Sequence, residues 1–544
     1  MGKPDRFTRW EISSRLIWFL RHSVQEMGVM QFQTFRWWYI AAIALLATAL
    51  TLFILSPAPQ PAPNTPSLLY SHPAQDHYPN IVVILVDDLG YGDVRANFSE
   101  SKIPTPHIDE LAQQGIRFTD AHSGTAVCSP SRYGLLTGQH FSRQDWWRVQ
   151  RQLWASMIDD DRLTLGALLQ ANGYHTGAFG KWHLGQTFYD KRGRPGGPDA
   201  NTDWSRPITG GPNDRGFDEY YGVLFTHAQF LMALVSNGLV TQVPTELIGK
   251  TPKAKDYDPV DAMPLITQKA LEYIDWNVRE RPGEPFFLYF PTPAIHDPIL
   301  PSPEFIGKSD VGAYGDFVMQ TDAAVGQLVA RIDEYGLREN TLIILTSDNG
   351  GHGKAGLGSV EETPFGSVYG RYGHKMNGNW RGLKGSFWEG GHRVPFIARW
   401  PGHIAPGSVD NNLIVLEDMM ATVAAILGVK LPAGSAEDSY NILPYLNGTH
   451  TGPPIREYTV LNTFYGEPVL RKGKWVLSFH RGSGQQFTKN LQPGPGEAKG
   501  ELYDLEADPG QTANLWLKHP EVVGELTAFY DAHVARGSSF GIDR

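Results

Sequence analysis

The sequence predicts an α/β protein: a large mixed, mostly parallel sheet flanked by helices, followed by a smaller C-terminal domain with an antiparallel sheet and a helix. Three observations carry this. Four short apolar runs each lead into residues that carry chemistry. "NIVVILV", Asn80 to Val86, ends in Asp87-Asp88, and "TLIILT", Thr341 to Thr346, leads into Ser347-Asp348-Asn349-Gly350. "PFFLYF", Pro285 to Phe290, leads to His296, and "HTGAFGKWHLG", His175 to Gly185, carries Lys181 and His183. Continuous apolar runs of this length suit strands buried on both faces. Open α/β sheets place their ligands beyond the carboxyl ends of such strands, so these groups are expected at one rim. The second observation is that segments with helical spacing fall between the runs. The third is a change of texture near Thr451, where short polar–apolar alternations such as "KWVLSFH" and "ELYDLEADP" begin.

Taken in order, Trp37 to Leu55, "WWYIAAIALLATALTLFIL", carries no charge and is long enough to cross a bilayer as a helix. Lys3, Arg6, Arg9, Arg15, Arg21 and Arg36 precede it against Asp5, Glu11 and Glu26, which by the positive-inside rule puts the N-terminus in the cytoplasm. The expected organisation is a cytoplasmic segment 1–36, a transmembrane signal anchor 37–55, a Pro-rich linker 56–77, a catalytic domain 78–450 and a small α/β subdomain 451–544. The catalytic domain then lies outside the cytoplasm, periplasmic or extracellular. A cleaved signal peptide is the rival reading, especially if Met27 or Met30 is the true start. Within the body, Thr105-Pro106 caps and starts a helix ending at Gly115, with Ile108, Leu111 and Ala112 on one face. Asp161 to Gly173 and Val415 to Gly428 read as two more helices with glycine stops, and Glu521–Val534 as a closing helix. Gln186–Asn213 and Gly350–Asn379 are too long for ordinary connections and are expected to border a cleft.

Composition narrows the function. Acidic residues outnumber basic ones by 57 to 47, a net charge of −10, and no long basic run follows the first segment; nucleic acid is therefore not an expected partner. Cys128 is the sole cysteine in 544 residues, which excludes an intrachain disulfide and a thiolate zinc site. In "TAVCSPSRYGLLTG", Ser129 can cap a helix that begins at Pro130 and ends at Gly138. This puts Cys128 at a helix N-terminus, where the macrodipole favours anions, with Arg132 one turn on. The residues leave three readings of Cys128 open: a buried small hydrophobe, a reactive thiol, or a precursor of another group. Asp87, Asp88, Asp348 and Asn349 are all oxygen donors suited to a hard divalent ion, Ca²⁺ or less favourably Mg²⁺. Either pair alone reads as turn and cap residues; both pairs at strand ends favour a metal.

"CSPSRYGLLTG" resembles the signature of the type I sulfatases, in the alkaline phosphatase superfamily, whose Cys-x-Pro-x-Arg motif is recognised for conversion of cysteine to formylglycine. "GYHTGAFGKWHLG" resembles that family's second signature, with Phe179 where a small aliphatic residue is more usual. "VDDLGYGD", "IHDP", "TSDNG" and "RGLKGSFWEGGHRVP" follow in the family's order, so the likeness runs from about Pro79 to Asp508. The resemblance implies a sulfuric ester hydrolase acting on an aryl sulfate or sulfated carbohydrate. It implies Ca²⁺ on Asp87, Asp88, Asp348, Asn349 and modified Cys128. Arg132 would hold the formylglycine hydrate, Lys181 and His183 would bond to it or to the sulfate, and His296 and Lys384 would stand near the leaving oxygen. It also implies a maturing partner, a formylglycine-generating enzyme or an anaerobic sulfatase-maturating enzyme. Two rivals remain: a phosphonate monoester or phosphodiester hydrolase, which can share the Cys-x-Pro-x-Arg motif, and an unactivated membrane-tethered protein that binds sulfated glycans. Tyr189, Trp204, Tyr220, Tyr221, Phe365, Tyr369, Tyr372 and Trp380 are the candidates for a wall that stacks on a sugar or aryl ring, or else they pack the long loops.

Overall fold

In the computed structural model the described residues are 78–144, 155–353, 366–484 and 491–536; the cytoplasmic segment, the Trp37–Leu55 anchor and the Pro-rich linker expected from the sequence lie outside them. No helix among the described residues is long and apolar enough to cross a membrane. The central sheet is built from β1 (Asn80–Val86), β2 (Ile116–Phe118), β3 (His175–Lys181), β4 (Glu219–Val223), β5 (Val235–Ser236), β6 (Leu239–Val240), β7 (Phe286–Pro291), β8 (Thr341–Ser347), β9 (Phe396–Arg399) and β10 (Ser408–Asp410). These ten strands lie in the order β10-β2-β9-β8-β1-β7-β3-β4-β5-β6. The five in the middle, β8-β1-β7-β3-β4, are parallel, and antiparallel pairings begin at β9 and β5.

The four runs read from sequence are the four central neighbours β8, β1, β7 and β3, and every residue in them is buried. Their register matters for chemistry. Val86 pairs with Ser347 across β1 and β8, so Asp87 and Asp348 leave the sheet at the same level. Leu85 pairs with Pro291 on the other side, which brings the loop carrying His296 over the same rim. The sheet therefore turns four distant stretches of sequence into one row of functional groups.

Helices cover both faces: α1 (Pro106–Gln113), α2 (Cys128–Thr137), α3 (Leu165–Ala171), α4 (Ala262–Glu280), α5 (Gly312–Glu334) and α6 (Met419–Leu427). Thr164 caps α3 as a side-chain acceptor for the Ala167 amide, and Gly428 ends α6 in the left-handed region. Thr105 is the cap residue and Pro106 starts α1, as the sequence suggests, but the Thr105 hydroxyl makes no cap bond. It donates to Asp109 instead, and Asp322 of α5 accepts the amides of His107 and Ile108. That same arrangement explains why α5, the longest helix among the described residues, escapes a reading of its apolar stripe. Asp316, Gln320 and Asp322 are buried on it because loop and helix-end amides and side chains bond to them.

The small domain is an antiparallel sheet of Tyr458–Asn462, Pro468–Lys472, Trp475–Ser478 and Glu501–Asp504 in that order, closed by α7 (Pro520–Arg536). One face packs on Leu526 of α7, while the other receives Phe387 from the catalytic domain against Val469, Val476 and Tyr503. Beside this seam lies a buried polar joint. Arg471 of the small sheet donates two bonds of 3.0 Å to the carboxylate of Asp120. Asp120 also pairs with Arg393 at 2.7 Å and bonds His122, and Glu389 pairs with Arg393 at 2.6 Å. The two arginines hold the Asp120 carboxyl well below the ordinary range although burial opposes them. Replacing Arg471 by Met leaves that carboxylate under-compensated, and we expect a loss of about 3–5 kcal/mol in urea unfolding. Circular dichroism at increasing urea measures it.

Candidate active site

Cys128 stands at the first position of α2. The helix therefore begins two residues earlier than Ser129 capping would require: extended Val127 is the cap residue and no side-chain cap bond is made. Pro130 is accommodated because the amide it lacks belongs to the first turn, where no helical partner exists. Gly138 closes the helix with φ 65°, as its sequence position suggests. The thiol is buried, and burial pushes it up to about 12 despite the nearby Lys181 and Lys384. A thiolate nucleophile is thus disfavoured.

The residues singled out from sequence converge around this sulfur. Lys384 Nζ donates to Cys128 Sγ at 3.0 Å and to Asp88 Oδ1 at 2.5 Å. Lys181 Nζ donates to Asp87 Oδ2 at 2.6 Å. Arg132 reaches Asp348 Oδ2 through Nε and Nη2, at 3.1 and 2.8 Å, and the Lys181 carbonyl through Nη1 at 3.0 Å. Here Arg132 braces the acids. Asn349 Nδ2 donates to Asp88 Oδ1 at 2.8 Å, and the Asp88 amide donates to Asp348 Oδ1 at 3.1 Å. Asp88 holds φ 65° and His183 φ 56°, left-handed conformations that non-glycine residues seldom take and that tend to gather at functional sites. Gly350, next to Asn349, is required by space: a Cβ there would lie 1.9 Å from the Gly390 carbonyl oxygen.

Electrostatics divide the acids. Burial raises all three, but Lys181, His296 and Arg132 hold Asp87 well below the ordinary value, and Lys384 and His296 hold Asp88 down. Asp348 rises to about 7, because burial and Asp87 outweigh Arg132. A third oxygen set is left over: Asp87 Oδ1, Asp88 Oδ2 and Asn349 Oδ1 are buried with no hydrogen-bond partner among the described residues. Ligating atoms of Asp87, Asp88, Cys128 and Asp348 all lie within 4.8 Å of one another. Orphaned carboxylate and amide oxygens around one point fit a hard divalent cation such as Ca²⁺.

The two histidines differ. His183 is buried, and neither ring nitrogen has a hydrogen-bond partner among the described residues; burial, Lys181 and Arg132 hold it well below the ordinary value, hence neutral. His296 donates from Nδ1 to the Asp297 carbonyl at 2.7 Å, which leaves Nε2 as the reactive nitrogen. Burial together with Lys384 and Lys181 brings His296 to about 3. Negative charge arriving beside it reverses part of that depression.

Two further histidines stand at this rim. His352 lies 3.4 Å from Asp297 through Nδ1 and stacks near His296, centroids 6.4 Å apart. His227 Nε2 donates to the Pro298 carbonyl at 2.9 Å. The long Gly-rich insert did flag His352, whereas nothing local marks His227. The candidate aromatic wall largely dissolves. Tyr220 is buried and bonds the Gly180 carbonyl, and Trp204 packs edge-on against Phe188. Arg206 covers the ring of Tyr189, Arg393 that of Trp380, and Arg371 lies near that of Tyr372. Phe365 lies outside the described residues. Packing of long loops is what most of these rings do.

The chain is similar to known proteins over most of its length. The sulfatase family profile matches residues 79–429. An N-acetylgalactosamine-6-O-sulfatase of Bacteroides thetaiotaomicron is 33% identical, with 84% of this chain and 93% of that protein covered. Arylsulfatase A of Homo sapiens is 32% identical over 80% of this chain and 83% of its own length, and steryl-sulfatase of Rattus norvegicus 33% identical over 84% and 89%. Among solved structures, one described under metabolism of multiple glycosaminoglycans by Bacteroides thetaiotaomicron superposes with a TM-score of 0.72 at 31% identity, covering 84% of this chain and 99% of the other. A sulfatase from Pseudoalteromonas sp. gives a TM-score of 0.66 at 26% identity, covering 86% and 92%. With its signature cysteine at the rim of such a sheet, among these acids and lysines, the chain belongs to the sulfatase family.

Proposed function

We propose that this sulfatase removes sulfate from carbohydrate sulfate esters, using residue 128 after its conversion to formylglycine by a maturing enzyme and a calcium ion held by Asp87, Asp88, Asp348 and Asn349. The observation that carries the reading is the position of Cys128: at a helix N-terminus, 3.0 Å from Lys384, with buried unpartnered oxygens around it. A thiol gains little there, whereas an oxygen nucleophile with a nearby cation gains charge stabilisation. Hydrated formylglycine supplies a nucleophilic oxygen and a second hydroxyl, whose proton loss re-forms the carbonyl and expels sulfate. Calcium, when bound, draws charge from the sulfuryl oxygens.

The remaining roles fall to this chain's own side chains. Three acids, Asp87, Asp88 and Asp348, face three cations, Arg132, Lys181 and Lys384, so a divalent ion leaves the pocket positive. That local surplus explains how a protein of net charge −10 would attract an anion. Lys384, at the sulfur of residue 128, and the nearby Lys181 take up charge on the sulfuryl group. Neutral His183 offers an uncharged donor. His296 takes up a second proton on Nε2 as the anionic ester enters, and gives it to the departing oxygen. The ester of a sugar suits the rim better than that of a sterol, since the half-exposed His352 and Asp297 offer polar partners to hydroxyls. The amino-sugar sulfatases among the relatives support the same substrate class.

Mass spectrometry of the peptide carrying residue 128, after co-expression with a maturing enzyme, is expected to show the aldehyde; only thiol under those conditions would sink the proposal. Cys128→Ser, having no second hydroxyl, is expected to lose steady turnover by on the order of 10³-fold or more. His296→Ala is expected to lower kcat by about 10²–10⁴ on sugar sulfates. On p-nitrophenyl sulfate the loss is expected to be much smaller, because that phenolate leaves without a proton; equal losses on both would exclude His296 as the acid. Chelation with EGTA is expected to abolish turnover and lower the Tm, with Ca²⁺ restoring both. The same titration on Asp88→Ala is expected to show no Ca²⁺-dependent Tm shift.

A further inference from the structure

The loop after β4 is tied to the catalytic rim at several points. The His183 amide donates to the Leu224 carbonyl at 3.1 Å, and Phe225 meets the His183 ring edge-on with centroids 4.2 Å apart. His227 bonds the Pro298 carbonyl two residues beyond His296, and Tyr257 bonds the carbonyl of His227 at 2.6 Å. At the tip the Leu231 amide donates to the Gln229 carbonyl at 2.8 Å, two residues back, with Phe230 between them at φ 64°. An i to i+2 bond around a positive φ is the rare, strained form of γ-turn. Gly or Asn would adopt that φ with far less strain, whereas a bulky residue there is an outlier.

Burial does not account for Phe230. The residue is 39% exposed, and its ring meets that of Phe225 in a T-shaped contact at a centroid distance of 4.3 Å. The result is a ladder of rings, His183–Phe225–Phe230, running from the pocket to solvent. Strain held at a residue whose ring stays open to solvent, on a loop anchored to the reaction centre, marks that ring as serving a ligand.

We propose that Phe230 is a specificity-determining residue whose exposed face stacks against the pyranose ring of the leaving group while the sulfate is held below at residue 128. An aromatic face matches the C–H face of a sugar, and the polar partners lie across the rim at Asp297 and His352. This rests on the carbohydrate reading above and adds the surface that selects for it.

The test uses the matured full-length enzyme with N-acetylgalactosamine 6-sulfate and, as a probe without a ring, methyl sulfate. Phe230→Asn removes the ring while keeping a residue that tolerates the turn; Phe230→Tyr keeps the ring. Phe230→Asn is expected to raise KM for the sugar about 3- to 10-fold with kcat within about 2-fold. It should leave kcat/KM for methyl sulfate within about 2-fold, and Phe230→Tyr should restore the sugar KM. Sugar turnover with KM unmoved by Phe230→Asn overturns the role of Phe230 alone. An equal loss on both substrates overturns it too, since a merely structural residue would behave so. Wild-type enzyme that hydrolyses methyl sulfate but not the sugar overturns the carbohydrate reading, and the stacking role with it.

Discussion

Three carboxylates and three cations share a largely buried space around Cys128, and the rest of the molecule is arranged to keep them there. Buried charge of one sign is prohibitive, and even paired charge is costly unless geometry is well matched. Arg132 therefore forks onto Asp348, Lys181 meets Asp87 and Lys384 meets Asp88, each within 3.1 Å. The partners come from α2, from the ends of β1, β3 and β8, and from the stretch before β9. No one segment can satisfy its own charge. The site and the fold are thus the same object, because the pocket is neutral only when the sheet has assembled.

That balance also shapes the chemistry. Buried oxygens of Asp87, Asp88 and Asn349 remain unpartnered, so the pocket is short of positive charge at one point even while its totals match. Filling that point with a divalent ion tips the whole pocket toward anions. The neutrality of His183 and the depression of His296 follow from burial first and then from the neighbouring cations, Lys181 being common to both. On the mechanism proposed above, a sulfate ester entering such a pocket would change the protonation of His296 and so couple binding to proton transfer.

The small domain contributes by closure rather than by chemistry. Its sheet clamps Phe387, and Arg471 completes the buried joint with Asp120. The stretch from Lys384 to Arg393 runs between the lysine at the sulfur and this joint. Holding its far end fixes where Lys384 points, since the chain between them has few residues in which to drift.

Much of the site was legible in the sequence because the chemistry sits at the ends of buried strands, where a continuous apolar run stops abruptly at an acid or a basic group. Asp87-Asp88 after "NIVVILV" and Asp348-Asn349 after the β8 run needed only the rule that parallel strands deliver ligands at their carboxyl ends. The lone Cys128 beside Pro130 and Arg132 was likewise a local pattern. The tertiary structure alone decided which groups neutralise which, that Arg132 braces Asp348, that Asp322 accepts the first-turn amides of α1 that Thr105 leaves unbonded, and that most of the loop aromatics are covered by arginines or packed away. It also decided that Phe230, with no motif around it, is left exposed on the loop after β4. Pairings across hundreds of residues leave no periodic trace in sequence, since they depend on strand order and register; a strand's own burial does leave one, since it recurs at every position along the run.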